Sequence, residues 1–198
     1  MNLCTLQQSQ VGIAVTEYSV FQGPLDNIDI LLHWGPNDHI EGVASVIGRD
    51  EIAVITHPDN PIRPISKEQL FRIYMGETWF WEQLTTEGSG FSGDIHAWTY
   101  PPDDTIRKIF ESSISDSELH NPFVYIAPHP EAMLQALAND PLAIGFLPSI
   151  WLDTRVRELA VDGFQQGTLS VPILAFTNGE FQEKQLSWLK CLEDQFLQ

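Results

Sequence analysis

Basic residues are scarce in this chain. Ten Lys and Arg stand against 27 Asp and Glu in 198 residues, a formal net charge of −17 at pH 7. Nucleic-acid backbones and anionic membrane surfaces are held by clustered cations. The nearest approach to such a cluster, Arg155 and Arg157, is flanked by Asp153 and Glu158. Nucleic acid is therefore excluded as a partner, and the acidity serves solubility first. Cysteine is scarcer still: Cys4 and Cys191 lie at opposite ends of the chain. They allow one disulfide without requiring it, and a metal site built on them is disfavoured. No apolar run approaches the ~20 residues a membrane-spanning helix needs, so no direct membrane insertion is expected. The opening "MNLCTLQQSQ" lacks the basic and apolar regions of a complete secretory signal. Two readings stay open: a cytoplasmic protein, or one whose leader has been removed.

Catalytic signatures are missing too. His33 and His39 are six apart, His57 precedes a proline and His129 stands in "PHP". None forms an i, i+4 pair or joins a carboxylate at a ligand spacing, so no metal is expected. No Gly-x-Ser-x-Gly elbow occurs, and neither cysteine sits where a helix start would activate it. "GSGFSG" is not followed by the Lys-Ser/Thr of a phosphate loop and reads as a surface loop. Neither an enzyme activity nor a cofactor is expected.

What is present is alternation of strand-like and helix-like stretches over the whole length, which argues α/β. "VGIAVTEYSVF" (Val11 to Phe21), "IDILLHW" (Ile28 to Trp34) and "EIAVITH" (Glu51 to His57) read as strands. In "ISKEQLFRIYMGE", Ser66 and Gln69 form a capping box, Gly76 marks the stop, and Leu70, Ile73 and Tyr74 give a buried face. "IHAWTY" reads as a strand, "DDTIRKIFES" and "PEAMLQALAND" as helices, and "LAIGFLP" as a buried strand closed by proline. "RELAVDG" and "VPILAFTNG" supply further strands. The C-terminal stretch is an amphipathic helix with Leu186, Leu189, Leu192 and Phe196 on one side. Trp79, Phe80, Trp81 and Trp98 read as core aromatics before a ligand cage.

The order of segments from Ile52 onward resembles the periplasmic phosphate-binding family of ABC transporter solute-binding proteins. "AVITHPDNPI" is similar to that family's hinge strand and the turn after it. "ISKEQLFRIYMGE", followed by Trp81 to Leu84, is similar to its next helix and the tryptophan segment behind it. "EAMLQALANDPLAIGFLP" and "VRELAVDG" resemble the helix, strand and step that come later. "VPILAFTNGE" through "SWLKCLEDQ" looks like the return through the first lobe. The resemblance implies a type II periplasmic-binding fold, with two α/β lobes of mixed sheets joined by hinge strands. The first lobe would take residues 1–56 and 149–198, and the second 57–148. It also implies a small-molecule solute held in the inter-lobe cleft, a membrane permease as partner, and an extracytoplasmic location.

Two departures set the expectation for the site. Only about fifty residues precede the hinge, without the family's Gly-rich anion loop, so the first lobe is shortened. The strand that ends in a small hydroxylic ligand residue in the family ends here in His33 and Trp34. In the second lobe, the family's Arg falls near Thr99, and its Ser-Gly-Thr helix start falls at Asp103, Asp104 and Thr105. Carboxylates there repel a dianion. The expectation is a domain that does not hold phosphate in the family's manner. Trp34, Thr99, Tyr100, Asp103 and Thr105 are the candidate ligand residues, suited to a cationic or neutral polar solute. The plainer reading makes Asp103 the helix cap. The alternative function is a degenerate sensor or protein-interaction module with no small-molecule ligand.

Overall fold

In a computed structural model of the chain, the described residues are 25, 28–36, 40–84, 90–115, 123–165 and 167–196. The strand expected over Val11 to Phe21 lies outside them. The chain divides into two compact units, Met1–Asp50 with Val171–Gln198, and Glu51–Ser170. The architecture is a mixed α/β fold.

The first unit is built on β1 (Leu31–Trp34), the first part of β2 (Val43–Thr56) and most of β9 (Ser170–Thr177). β9 lies between the other two and runs antiparallel to β1. Side chains alternate across the β1–β9 ladder. Leu32, Trp34, Ile173 and Ala175 turn to one face, where Ile47, Trp188 and Leu189 close a core. Leu31, Leu174 and Phe176 turn to the other, against Leu25 and Ile40. Trp188 and Leu189 belong to the terminal helix α4 (Glu183–Phe196). This corrects the expected face of that helix, because Leu186 is 51% exposed. The sheet accepts the tryptophan ring instead, since a bulky indole covers more of the apolar surface of Ile173 and Ala175. The side chains of Leu192 and Phe196 lie outside the described residues. β1 starts at Leu31, three residues later than expected, and β2 starts eight residues before Glu51.

The second unit centres on β6 (Ala143–Pro148), all six residues of which are buried. It pairs antiparallel with Ile52–Thr56 of β2 and parallel with β4 (His96–Thr99). β4 in turn pairs parallel with β5 (Tyr125–Ile126), a short strand that the sequence reading did not assign. On one face, Phe146 stacks on Phe110 with ring centroids 3.8 Å apart and meets Tyr74 and Tyr100 edge-on. Tyr74 ends α1 (Lys67–Tyr74) and Phe110 lies in α2 (Thr105–Ile114). On the opposite face, α3 (Pro130–Ala138) approaches Gly145 so closely that a Cβ there would lie 2.6 Å from the Met133 sulfur.

Helix α1 starts as its sequence indicates. Ser66 Oγ accepts from the Gln69 amide at 3.1 Å, and Gln69 Oε1 accepts from the Ser66 amide at 2.8 Å. Leu70, Ile73 and Tyr74 are buried, and Gly76 reverses the chain at φ 74°. "RELAVDG" divides into two strands of different sheets. β7 (Arg157–Glu158) pairs antiparallel with β2, and β8 (Val161–Asp162) runs parallel to β3 (Ile65–Ser66). The sequence drew its lobe junctions at 56/57 and 148/149, whereas the compact units meet at 50/51 and 170/171. The last part of β2, Glu51–Thr56, is tied to β6 on one side and β7 on the other, which holds residues 149–170 with it. Among the described residues no helix is long and apolar enough to cross a membrane.

Because Met133 and Leu137 fill the space above Gly145, a branched side chain there must displace α3. Gly145→Val is expected to cost about 1–3 kcal/mol through overpacking, read as a lowered midpoint in urea denaturation. An unchanged midpoint would show that α3 can lift off the sheet freely.

Candidate functional site

The residues singled out in "TYPPDD" occupy the turn between β4 and α2. The last residue of β4 is Thr99, and α2 begins at Thr105. Pro101 and Pro102 cannot extend the strand, and the chain turns with the Asp104 amide donating to the Pro101 carbonyl at 3.0 Å. The helix cap is Asp104, which corrects the reading that assigned it to Asp103. One oxygen of Asp104 accepts from the amides of Ile106 at 2.8 Å and Arg107 at 3.1 Å. Capping requires an extended residue whose side chain reaches the N2 and N3 amides. Asp104, with φ −67° and ψ 132°, meets that requirement. Asp103 stands one residue outside it and is exposed.

Asp104 is only 3% exposed. Burial pushes its carboxyl up to about 6, against the two backbone hydrogen bonds and the charges of Lys108 and Arg107, which pull it down. Arg107 is committed nearby: its Nε donates to Glu111 at 2.7 Å and one terminal nitrogen donates to the Tyr100 carbonyl at 3.0 Å.

Thr99 and Tyr100 are both buried, and neither the Thr99 hydroxyl nor the Tyr100 hydroxyl has a hydrogen-bond partner. Burial, then the charge of Asp104, pushes the Tyr100 phenol well up, so it stays a neutral hydroxyl. Thr105 is half-buried at the helix start. The structure thus gathers Thr99, Tyr100, Asp103 and Thr105 around one turn, with Asp104, absent from the candidate list, as its most constrained member. The "S/T/D then helix" pattern that signals a cap was present twice in "DDT", and only the backbone angles distinguish the two aspartates.

Trp34 belongs to the first unit. Its ring packs in the core there, and its indole N–H donates to Asp50 Oδ2 at 3.0 Å. His33 beside it is buried, bonds the Gly35 carbonyl through Nδ1 at 2.8 Å, and has its pKa lowered by burial. Of the aromatic quartet, Trp81 is a fully buried core residue whose indole N–H donates to the Leu142 carbonyl at 2.9 Å. Trp79 and Phe80 are exposed. A shallow depression of about 180 Å³ in the second unit, lined by Glu51, Ile52, Glu158, Val161, Phe164 and Leu169 among others, contains none of the expected ligand residues. Among the described residues no group of three His, Cys, Asp or Glu could hold a metal ion.

Comparison with known proteins places this geometry in a family. Residues 37–183 match the PBP superfamily domain, and the chain belongs to that superfamily. No curated protein matches it. Among solved structures, it is similar to a putative phosphate ABC transporter substrate-binding protein with bound phosphate from Clostridium perfringens. That match has a TM-score of 0.69 and 21% identity, over 82% of this chain and 71% of the other. An ABC-type phosphate transport receptor from Vibrio cholerae matches at TM-score 0.57 and 19% identity, over 82% of this chain and 73% of the other. The regulatory domain of OxyR2 from Vibrio vulnificus matches at TM-score 0.56 and 16% identity, over 85% and 73%. These likenesses establish the fold, which both transport receptors and a regulatory domain use.

The raised Asp104 carboxyl has a consequence for stability. In the unfolded chain it ionises near 3.8, and in the folded chain near 6. Between those values the folded state keeps a proton that the unfolded state has lost. Stability from this group therefore falls as pH rises from 4 to 6 and stays lower above. Asp104→Asn keeps the capping oxygen and removes the ionisation. It is expected to be nearly neutral at pH 4 and stabilising by on the order of 1–3 kcal/mol at pH 7.5, measured by urea denaturation at both pH values. An equal effect at both would mean that the carboxyl titrates normally.

Proposed function

We propose that this chain is a solute-binding module whose ligand is not an oxyanion seated on the N-terminus of α2. The carrying observation is the Asp104 carboxylate on the Ile106 and Arg107 amides. Those amides are the groups through which a helix start receives an anion, and here the protein supplies its own. A second negative charge at that point meets repulsion instead of a donor pair. The exposed carboxylate of Asp103 at the same turn suits a cationic or neutral polar solute. Trp34 carries less weight, because its indole N–H is already committed. The resemblance to transport receptors supports a membrane permease as partner and a location outside the cytoplasm. Binding, not catalysis, is the proposed activity.

A second reading is supported by the likeness to the OxyR2 regulatory domain. It takes the chain as a sensor or protein-interaction module without a small-molecule ligand, since fold alone does not carry function.

Thermal-shift measurements separate the readings. Inorganic phosphate and sulfate at millimolar concentration are expected to leave Tm unchanged, while a solute among amines, amino acids and sugars raises it by several degrees. A comparable rise with phosphate overturns the proposal. A Tm that no solute moves favours the second reading.

A further inference from the structure

Along one edge of the second unit runs a row of aromatic rings that solvent reaches. Trp79 is 41% exposed, Phe123 66% and Tyr125 49%, with Ile126 beside them at 53%. Phe123 meets Trp79 edge-on at 5.0 Å, while Tyr125 stacks on Trp98 at 5.1 Å and meets the His96 ring at 5.7 Å. Phe123 stands in the turn that leads into β5 and Tyr125 opens the strand, so the two ring pairs follow one another along the chain. Exposed apolar rings gathered in this way mark an interaction site.

Tyr125 and Ile126 lie on β5, the terminal strand of its sheet among the described residues. The Ala127 amide donates to the Thr99 carbonyl at 2.8 Å. Alternation along the strand therefore turns the N–H and C=O of Ile126 to the outer edge. "FVYIA", Phe123 to Ala127, carries no charge and no proline, the residues that ordinarily protect an edge from pairing.

Charge selects the occupant. The ionisable neighbours of the row include Glu82, which accepts from the Gly93 amide, Asp94, bridged to Phe80, and Asp140, 2.6 Å from the His96 ring nitrogen. A second copy of a chain with net charge −17 is repelled, whereas a cationic segment is attracted. Exposed faces of Trp and Tyr rings add their own attraction for ammonium and guanidinium groups.

We propose that the β5 edge and the Trp79–Phe123–Tyr125–Trp98 row form a docking surface for an extended basic segment of a partner protein. The segment adds to β5 as a strand, pairing with Ile126, and lays Lys or Arg side chains over the rings.

The probe is a short blocked peptide alternating Lys and Val, compared with one alternating Glu and Val, titrated into the full chain. The Lys–Val peptide is expected to slow hydrogen exchange of the Ile126 amide about tenfold or more, and the Glu–Val peptide to leave it unchanged. Trp79→Ser combined with Tyr125→Ser removes one ring from each pair. With the chain still folded by circular dichroism, it is expected to weaken Lys–Val binding by about tenfold. Unchanged Ile126 exchange at saturating Lys–Val peptide overturns the proposal, as does equal binding of both peptides. A dimer in sedimentation that the double substitution disperses assigns the surface to a second copy and overturns it too.

Discussion

Strand β6 is packed from both sides, and the rest of the second unit is arranged around that fact. Six consecutive buried residues leave no polar face, so helices must cover both surfaces of the sheet. Gly145 removes a side chain where α3 presses in with Met133 and Leu137. Its neighbour Phe146 does the opposite, collecting Tyr74, Tyr100 and Phe110 on the other face. Once Phe110 stacks on Phe146, the helix that carries it has little freedom. The start of α2 is thereby placed at the end of β4, and Asp104 is buried there along with Thr99 and Tyr100. The chemistry of the turn follows from a packing contact two helical turns away.

A second constraint holds the turn that follows β2. The Arg157 guanidinium donates to the Thr56 hydroxyl and to the carbonyls of Asn60 and Ile62, at 2.9 to 3.0 Å. Asn60 is fully buried, and its side-chain oxygen accepts from the Ile62 amide. The "HPDNP" stretch, which resembles the phosphate-binding family, is thus held by structural hydrogen bonds and needs no ligand to explain it. Arg157 itself, half of the nearest approach to a cationic patch, spends its charge inward. Burial lowers its pKa, and its Nε has no partner. Arg155 is also occupied, bound to both oxygens of Glu131 and to Asp153. Both arginines of the nearest approach to a cationic cluster are thus spent on internal contacts.

Much of the fold was legible because its signals are local. Ser66 and Gln69 announce a capping box within four residues, and "LAIGFLP" is apolar enough to be a central strand in any context. β5 was not read from the sequence, although Phe123 to Ile126 are strand-favouring residues; its two-residue length and its place beside β4 came from pairing. "RELAVDG" was legible as a strand, but its division into two strands of different sheets was not, as each is two residues long and exists through a distant partner. The turn and its acids stood in the sequence, but the cap moved by one residue, and the burial of Thr99 and Tyr100 had no sequence signature.

The sequence by itself determined the α/β alternation, the helix starts, the membership of the binding-protein superfamily and the lack of a basic residue within "TYPPDD". These depend on residue types and spacings along the chain. Only the tertiary structure decided which aspartate lies against the amides, which aromatic rings fill the core and which face water. Trp81 and Trp79 are two residues apart and chemically alike, yet one is fully buried and the other exposed. The difference arises from long-range packing, because burial is set by what the rest of the chain places opposite a side chain, and no local pattern encodes that.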